Sequence, residues 1–570
     1  MNTLLRLLVL FPVFFTTLLH AQSREARWTA VDEALNQGLP KTAIEQLDQI
    51  IPAAMADRAH AEAIKAIARK IAVEGTIEGS KPEEKIVRLQ AEIDKAPAEM
   101  KPIMEVILAR WYWHYFQHNR WRFLQRTQTA EPPGDDILTW DLARILREID
   151  RHFTAALADE ALLKATPVSD FDALLEPGSV PDHYRPTLFD FVAHDALEFY
   201  QAGEQGAVQA EDDFQLDAES PIFADASDFV TWQLPPRPER SPAENAILLF
   251  QRLLLFHRDD ADRSAFLDAD LARLAFGYNT VVGESRDERS EAALERFIES
   301  SAGHEIQARA IAMLAGRIHR AGDPARAHAL ARRGLEGFPS SAGGIQCHNL
   351  IQAIESRSAQ LETEAVWNAP WPTLNVTYRN ITQAHFRVVP YRFEEMVRRS
   401  RWGWAHVDER LRAELLEIKP VLTWSVDVPA TPDFKERPEA IPAPGTLEPG
   451  FYFVLVSHNG TFGARDDQLS VASVWVSDMA LVTQLRHDGK SHAGLVVNAS
   501  SGEPVAGATV RFWRRDNEGW LRTSGSTSTD ADGRFEFPSR DREMLVLAEH
   551  GAHRVSSAQP FYAHGSAEHD

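Results

Sequence analysis

The chain has 570 residues, which is enough for three or four domains with separate hydrophobic cores. Its 83 acidic residues against 60 basic ones give a formal net charge of −23, and the sequence contains no basic cluster. Nucleic acids and anionic membrane surfaces both bind positive protein faces, so no nucleic acid is expected as a partner, and no anionic membrane surface. The single cysteine, Cys347, excludes an internal disulfide.

The first 21 residues have the pattern of a signal peptide. Arg6 precedes the apolar run Leu7–Leu19, and Ala21 ends a small-residue cleavage signal. We predict that residues 1–21 direct export and are removed, and that the mature chain has no integral membrane segment. Since no cysteine follows the cleavage position, we expect a periplasmic or extracellular protein that is not a lipoprotein.

Residues 22–360 are dominated by helical periodicity. One predicted hairpin has apolar residues at helix spacing on both sides of a turn at Gly38-Leu39-Pro40. A second joins Ala308–Ala321 to Ala325–Gly337 through Gly322-Asp323-Pro324, and it resembles a tetratricopeptide repeat. We predict an irregular, tetratricopeptide-like α-helical solenoid. The sequence leaves open whether its concave surface binds a partner or whether the array is a rigid spacer.

Within this region, Trp111–Phe123 is the densest aromatic stretch. Helical spacing predicts that Trp113 lies near Phe116 and that His114 lies near His118. The metalloprotease pattern H-E-x-x-H is missing, so we interpret the stretch as an aromatic core seam and not as a metal site. Sugar stacking on the same aromatics stays open as an alternative.

After Glu364 the pattern changes to that of strands. Leu374–Ile381 and His385–Tyr391 alternate between apolar and polar residues and predict a hairpin. A helical insert over Phe393–Glu417 and a proline-rich loop over Pro429–Pro449 follow. Further strands are predicted at the positions with clear apolar character: Gly450–Ser457 and Ser470–Val476.

The segment from Val496 to Gly551 predicts a small β-sandwich. Thr509–Trp513 and Arg534–Phe537 alternate as half-buried strands do. Ser501-Gly502 and Asp532-Gly533 are predicted to supply turn residues with positive φ. We interpret Asp530–Gly533 as a hairpin turn and not as a calcium loop, because the glutamate that closes an EF-hand is not in place.

These motifs resemble a known family. The pattern G-x-P-V-x-G-A-x-V over Gly502–Val510, followed by T-D-x-x-G-x-F over Thr529–Phe535, resembles a macroglobulin-like domain of bacterial alpha-2-macroglobulin proteins, and more loosely a transthyretin-like sandwich. The pattern L-x-P-G-x-Y over Leu447–Tyr452 fits the start of a late strand in such domains. With the helical repeats in front, the order resembles the amino-terminal part of these proteins.

The resemblance implies a multidomain α + β chain in which the helical solenoid is followed by two all-β macroglobulin-like sandwich domains. The expected boundaries are residues 1–21 for the signal peptide, 22–360 for the helical repeats, 365–480 for the first sandwich with its helical insert, 481–556 for the second, and 557–570 for a flexible tail.

Full-length family members act as protease traps that use a bait segment and, in many, a thioester. No Glu-Gln follows Cys347 at thioester spacing, so we predict a buried helix cysteine. The sequence also lacks G-x-S-x-G and P-loop patterns, and we predict no catalytic, cofactor-binding or metal-binding residues and no cofactor.

The resemblance implies a non-catalytic scaffold that contributes to endopeptidase inhibition together with bait and thioester domains further along a longer chain. The alternative is a free-standing cell-envelope module that binds a protein or a carbohydrate. The expected partners are therefore proteases or a cell-envelope protein.

Overall fold

The computed structural model describes most of the chain. The described residues are 24–79, 81–124, 137–176, 178, 180–204, 214–237, 240–402, 407–445, 447–463, 469–485, 491–538, 542–557 and 561–563. They form two compact units, divided between Leu314 and Ala315. Helices make up the first unit, here called the helical unit, and the second, the β unit, holds the end of one of these helices, four further helices and all the described sheets. The predicted α + β fold class is confirmed, whereas the predicted signal peptide lies outside the described residues.

The helical unit contains the first thirteen helices and most of the fourteenth. They are α1 (24–36), α2 (Pro40–Ala56), α3 (His60–Ile77), α4 (Pro82–Lys95), α5 (Lys101–His118), α6 (Arg120–Leu124), α7 (Leu142–Ala156), α8 (Glu160–Ala165), α9 (Leu188–Tyr200), α10 (Ala226–Phe229), α11 (Pro242–His257), α12 (Ser264–Thr280), α13 (Arg286–Ser300) and α14 (Ile306–Arg320).

The predicted first hairpin forms as α1 and α2. Gly38 between them has a φ of +71°, a conformation that glycine adopts without a steric penalty. Pro40 starts α2, at a position where its missing N–H costs nothing. The two helices share a small core with α3, which contains the apolar residues that show helical spacing in the sequence: Val31, Ala34, Ala43, Leu47, Ile50 and Ala66.

The middle of the helical unit is buried more deeply. Helices α5, α7 and α9 pack against one another, and α11 packs against both α9 and α12. Two capping boxes fix helix starts here: Thr187 with Asp190 at α9, and Ser241 with Glu244 at α11. These helices place the candidate site described below.

Two helices open the β unit. They are α15 (Pro324–Gly337) and α16 (Ala342–Glu355), and α14 with α15 confirms the predicted second pair of helices. Asp323 caps α15 by accepting from the N–H of Arg326 at 3.0 Å. In α16, a side chain at Gly344 would collide with the carbonyl oxygen of Phe338, so this position requires glycine.

Sixteen described strands form four sheets. The strands are β1 (Ser358–Glu362), β2 (Val366–Trp367), β3 (Thr373–Arg379), β4 (Gln383–Pro390), β5 (Leu422–Asp427), β6 (Arg437–Pro442), β7 (Gly450–Ser457), β8 (Ser470–Val476), β9 (Met479–Leu485), β10 (Ser491–Asn498), β11 (Thr509–Arg515), β12 (Leu521–Ser528), β13 (Arg534–Pro538), β14 (Arg542–His550), β15 (His553–Ser556) and β16 (Phe561–Ala563). Sheet I has the order β1-β3-β6, sheet II β2-β8-β7-β4-β5, sheet III β12-β11-β14-β15 with β16 on β14, and sheet IV β13-β10-β9.

The predicted hairpin between the first two alternating strands is wrong. Strand β3 belongs to sheet I and β4 to sheet II, so the chain crosses between sheets at Asn380, which has a φ of +59°. The Asn380 amide donates to the carbonyls of Ile354 and Ser356 at 2.7 and 3.0 Å, which anchors the crossing to the end of α16. Strand β3 forms its backbone hydrogen bonds with β1 and β6, and β4 forms its own with β5 and β7. The apolar residues of both strands meet in the core between sheets I and II.

Two other predicted segments differ in detail. The helical insert is two helices, α17 (Phe393–Arg399) and α18 (Glu409–Glu417), with residues 403–406 between them outside the described ranges. The proline-rich stretch predicted as a loop contains β6, whose Pro438 and Pro442 lie on the edge of sheet I. An edge strand tolerates proline because one side of it donates no ladder hydrogen bonds.

The strands predicted for the second module are present. Gly502 and Gly533 have φ values of +73° and +72°, as predicted for the turns. Within the stretch predicted as a tail, Phe561–Ala563 pairs with Arg542–Met544 as β16.

The four sheets stack as layers with three successive apolar cores. The first core lies between sheets I and II, and the third lies between sheets III and IV. The middle core joins sheet II to sheet III and includes α17 and α18. Alternate residues of β7 point to the two cores on either side of sheet II. Those in the first core are Tyr452, Val454 and Val456, and those in the middle core are Phe451, Phe453 and Leu455. Both central sheets therefore contribute to a core on each face, and the central strand β7 reads as a continuous apolar run.

Candidate functional site

The aromatic stretch of α5 is partly core and partly cavity wall. Tyr112, Tyr115 and Phe116 are buried, and Trp113 is half-buried with its ring centroid 5.4 Å from that of Phe116, as predicted from helical spacing. Trp113 also meets Phe199 of α9 edge to face at 5.7 Å. Trp121, by contrast, is 68% exposed.

The two histidines in this stretch do not form a metal site with each other. His114 and His118 are both exposed, and the His118 Nδ1 atom lies 2.9 Å from the backbone carbonyl oxygen of His114. Across the described ranges, no cluster of three or more histidine, cysteine, aspartate or glutamate side chains has a geometry suited to a metal ion.

A cavity of about 370 Å³ opens beside Trp113. We call it the Trp113 cavity. Helices α5 and α9 form its two sides, and Phe153 of α7 completes the wall. Its lining residues are Ala109, Arg110, Trp113, His114, Gln117, Phe153, Asp195, Glu198, Phe199 and Ala202. Those of α5 and α9 recur at spacings of three and four, so each helix presents one continuous face to the cavity.

A charged fork joins the two sides of the Trp113 cavity. The Arg110 Nε atom donates to Asp195 Oδ2 at 2.8 Å, and Arg110 Nη2 donates to Asp195 Oδ1. The Asp195 side chain is only 6% exposed, whereas that of Arg110 is half-exposed. The hydrogen bonds that Arg110 donates to the Asp195 carboxylate raise the pKa of Arg110. This bidentate geometry holds both planar groups in fixed orientations.

The wall of the cavity mixes donors, acceptors and aromatic rings. Arg110 brings one positive charge, and Asp195 and Glu198 bring two negative ones, so the ionised groups sum to −1. Gln117 adds an amide and His114 an imidazole, each of which both donates and accepts. Such a wall is suited to binding a polar ligand, and the described geometry brings no nucleophile–base pair into it.

Two other cavities lie within the β unit. One of about 900 Å³ runs along the outer face of sheet IV, where Val482 is 55% exposed, and is bordered by Thr527 and Ser528 of β12. Another of about 430 Å³ lies around the crossing between β3 and β4, beside Asn380 and His385.

Buried charged groups in the helical unit connect helices that are distant in sequence. His257 of α11 bonds Asp190 of α9 and Asp260, each at 2.7 Å. Burial opposes protonation of this ring, yet its hydrogen bonds to the two carboxylates and their negative charges raise its pKa. The Asp268 carboxylate of α12 accepts from Arg309 at 2.7 Å and from Arg185 at 3.4 Å. These contacts hold helices together and line none of the three cavities.

His194 of α9 shows the opposite behaviour. Burial and the nearby Arg185 cation lower its pKa to about 4, although Asp268 lies 3.8 Å away. Its ring is therefore neutral at physiological pH, which makes its environment sensitive to acid.

The remaining residues singled out in the sequence lie in the β unit. Cys347 is buried in α16, as predicted, and burial raises the pKa of its thiol to about 11. Such a thiol is a poor nucleophile because so little of it is thiolate. Asp530 Oδ1 accepts from the backbone N–H groups of Asp532 and Arg534 at 2.9 and 2.8 Å, which closes the turn before β13. These two hydrogen bonds are those of a turn that an aspartate side chain closes.

Sequence reasoning missed the acidic side of the Trp113 cavity. The spacing of Asp195, Glu198 and Phe199 places them on one face of α9, and that signal is present in the sequence. What the sequence lacks is any sign that this face is opposite Trp113, because residues 195 and 110 are 85 positions apart.

No protein-family model matches the chain, and no curated protein matches it. Every helix within the described ranges is too short or too polar to cross a lipid bilayer.

Solved structures with similarity to the chain include fragments of Escherichia coli alpha-2-macroglobulin. One spans domains NIE-MG1 of the native protein, with 14% identity and a TM-score of 0.28, covering 36% of this chain and 97% of that one. Another spans domains MG0-NIE-MG1, with 15% identity and a TM-score of 0.28, covering 35% of this chain. A third is the Escherichia coli protein activated by porcine elastase, with 15% identity, a TM-score of 0.16 and 38% of this chain covered. The matches extend over 64% of the second of those chains and 22% of the third.

Proposed function

We propose that this chain is the non-catalytic front part of an exported, macroglobulin-type protease trap. The observation that carries the proposal is the layered β unit, in which two sandwiches share one uninterrupted middle core. The sequence resemblance to the amino-terminal part of alpha-2-macroglobulin proteins supports the same assignment. In this role the chain contributes a frame, and bait and thioester segments of a longer polypeptide perform the capture.

The middle core makes the β unit suited to that role. It contains Phe453 and Trp475 from sheet II, Trp513 and Leu547 from sheet III, and Phe393 from α17. Burying each such side chain stabilises the structure by about 1.5–3 kcal/mol, so the sandwiches are held together by many independent contributions. We expect a frame with such a core to move as one body and not to hinge between its two sandwiches.

The mass of the native protein in its own cells tests the proposal. An antibody raised against the Thr509–Phe537 hairpin region would detect the chain in whichever polypeptide contains it. We expect a species far heavier than the 63.9 kDa of this sequence. A single species at the mass of this sequence alone would overturn the proposal.

A second measurement separates the frame from the trap. Purified residues 22–570 are incubated with a trypsin-like protease, and the mixture is analysed by denaturing and native gels. We expect no covalent and no size-excluded complex, because a frame without bait and thioester segments captures nothing. A protease-resistant adduct would contradict the assignment of a non-catalytic frame to these residues.

A second candidate function is a cell-envelope module that binds a protein or a carbohydrate. The Trp113 cavity favours it, because a half-buried indole surrounded by polar side chains is a binding surface that a spacer does not need. The two functions are compatible in one molecule, since the cavity lies wholly within the helical unit and the trap proposal depends on the β unit.

A further inference from the structure

We propose that the Trp113 cavity is a binding site for a neutral saccharide. This inference deepens the second candidate function and does not depend on the protease-trap proposal. The argument rests on three properties of the cavity: an aromatic wall, a fixed polar fork, and a balance of hydrogen-bond donors and acceptors.

The aromatic rings of Trp113, Phe153 and Phe199 supply most of the apolar part of the wall. Trp113 is half-buried, and its edge-to-face contact with Phe199 has an interplanar angle of 86°. Phe116 contacts the indole from within the helix at 5.4 Å. The ring is therefore held in place while part of its surface lines the cavity. The C–H faces of sugar rings pack on such a surface, since an aromatic side chain contributes a large contact area at low cost in conformational entropy.

The Arg110–Asp195 fork supplies the polar part. Its recorded hydrogen bonds use Arg110 Nε and Nη2, and the guanidinium also carries N–H groups on Nη1. Each Asp195 oxygen accepts one of these bonds and has a further lone pair. A sugar hydroxyl both donates and accepts, so this pair presents complementary partners without first having to be ordered.

The composition of the wall argues against other classes of ligand. An anion would meet the carboxylates of Asp195 and Glu198, and a cation would meet the Arg110 guanidinium. An apolar ligand would remove water from the side chains of Arg110, Gln117 and Glu198 without replacing its hydrogen bonds. A neutral polyol with an apolar ring face satisfies the rings, the donors and the acceptors together.

The size of the cavity sets the size of the ligand. Small-molecule sites have volumes of roughly 300–1,000 Å³, and the Trp113 cavity, at about 370 Å³, lies near the lower limit. It has room for a mono- or disaccharide, or for the end of a longer glycan chain.

The test uses purified residues 22–570 and a panel of neutral disaccharides: maltose, cellobiose, lactose and N,N′-diacetylchitobiose. Ligand-observed saturation-transfer NMR detects weak binding, and calorimetry measures the dissociation constant of any sugar that binds. We expect at least one member of the panel to bind with a dissociation constant below about 10 mM. Acetylcholine and N-acetyl-lysine amide serve as cationic probes in the same experiment.

Variants locate the binding. Trp113→Ala and Gln117→Ala are each expected to weaken binding of the same sugar at least about tenfold. Trp121→Ala is the matched control, because this indole is 68% exposed and does not line the cavity, and its variant should bind as the unmodified chain does. Should Trp113→Ala fail to fold, Trp113→Phe keeps an aromatic ring of smaller area and should still weaken binding measurably.

Three results would overturn the proposal. The first is that no sugar of the panel binds at about 10 mM. The second is that sugar binding persists unchanged in the folded Trp113 and Gln117 variants. The third is that a cationic probe, and no sugar, binds in a manner that depends on Trp113. None of these results bears on the mass of the native protein, so failure here is distinguishable from failure of the protease-trap proposal.

Discussion

The helical unit and the β unit both bury apolar cores but differ in how their distant elements are joined. Helices that are distant in sequence are joined by buried charged groups, such as Asp190 with His257 and Asp268 with Arg309. The stacked sheets of the β unit are joined through three apolar cores. Apolar cores respond to lost volume, whereas buried titratable groups respond to pH, so the two units should fail under different challenges.

The largest expected effect follows from removing volume in the middle core. Phe453 of β7 is buried in the middle core on the side of the insert helices. Its ring centroid lies 5.2 Å from that of Tyr391 and 5.6 Å from that of Phe451. Phe453→Ala should lower the free energy of unfolding of the β unit by about 3–5 kcal/mol. Hydrogen exchange measured by mass spectrometry should show faster exchange in sheets II and III together.

The control for that experiment is Val482→Ala. Val482 lies on the outer face of sheet IV and is 55% exposed, so its truncation should change stability by less than about 0.5 kcal/mol. If Phe453→Ala accelerates exchange in sheet II while sheet III keeps its protection, the two sandwiches are separately stable and the idea of one frame is wrong.

Acid should challenge the helical unit first. The pKa of His194 is lowered to about 4 in the folded chain, against about 6.5 for an unperturbed histidine. A lowered pKa means that the unfolded state binds the proton first, so the stability from the neutral ring is present above about pH 6.5 and is lost as pH falls toward 4. The loss should approach about 3 kcal/mol in the helical unit.

His194→Gln should flatten this dependence, since it removes the titrating ring. The matched control is His114→Gln, which changes an exposed histidine of the same unit and should leave the slope unchanged. Stability is followed by hydrogen exchange of α9 and α12 between pH 7 and 4, corrected for the intrinsic exchange rate. His257 acts in the other direction: its raised pKa adds stability that is lost as pH rises through that value. If stability falls by the same amount on acidification in the His194 variant and in the unmodified chain, groups other than His194 cause the loss.

How far the sequence determines these features depends on the range of the interaction. Helices α1 and α2 and strands β7 and β8 follow from local periodicity and turn residues, and they are predicted correctly. The crossing between β3 and β4 is missed because both strands alternate as a hairpin would, and only their distant partners β6 and β7 assign them to different sheets. Only one side of the Trp113 cavity can be predicted, for the same reason. Helical spacing predicts which residues share a face of α5, but the packing of that face against α9 depends on contacts between residues far apart in the sequence.

Adding volume to the β unit should have a smaller effect than removing it. Gly494 of β10 lies directly under the ring of Phe535, with which a methyl group at this position would collide. Gly494→Ala should therefore destabilise the β unit by about 1–3 kcal/mol through overpacking of the third core. Thermal unfolding followed by circular dichroism measures the loss.

Gly502→Ala is an informative comparison, because the space there is open and only the φ of +73° opposes a side chain. If both variants unfold at the same temperature, the close contact with Phe535 is not what requires glycine at position 494.

The smallest expected effect compares one kind of bond in two environments. Ser241 Oγ accepts from the backbone N–H of Glu244 at 3.2 Å within a buried capping box, whereas Asp530 Oδ1 accepts from two backbone N–H groups in an exposed turn. Water replaces the lost acceptor at Asp530 but not at Ser241, where the fully buried Glu244 would also lose a donor. Ser241→Ala should therefore cost about 1–2 kcal/mol and Asp530→Ala only about 0.5 kcal/mol. Denaturant unfolding monitored by exchange in α11 and β13 measures each locally; an equal cost in both would mean that burial does not decide the strength of these bonds.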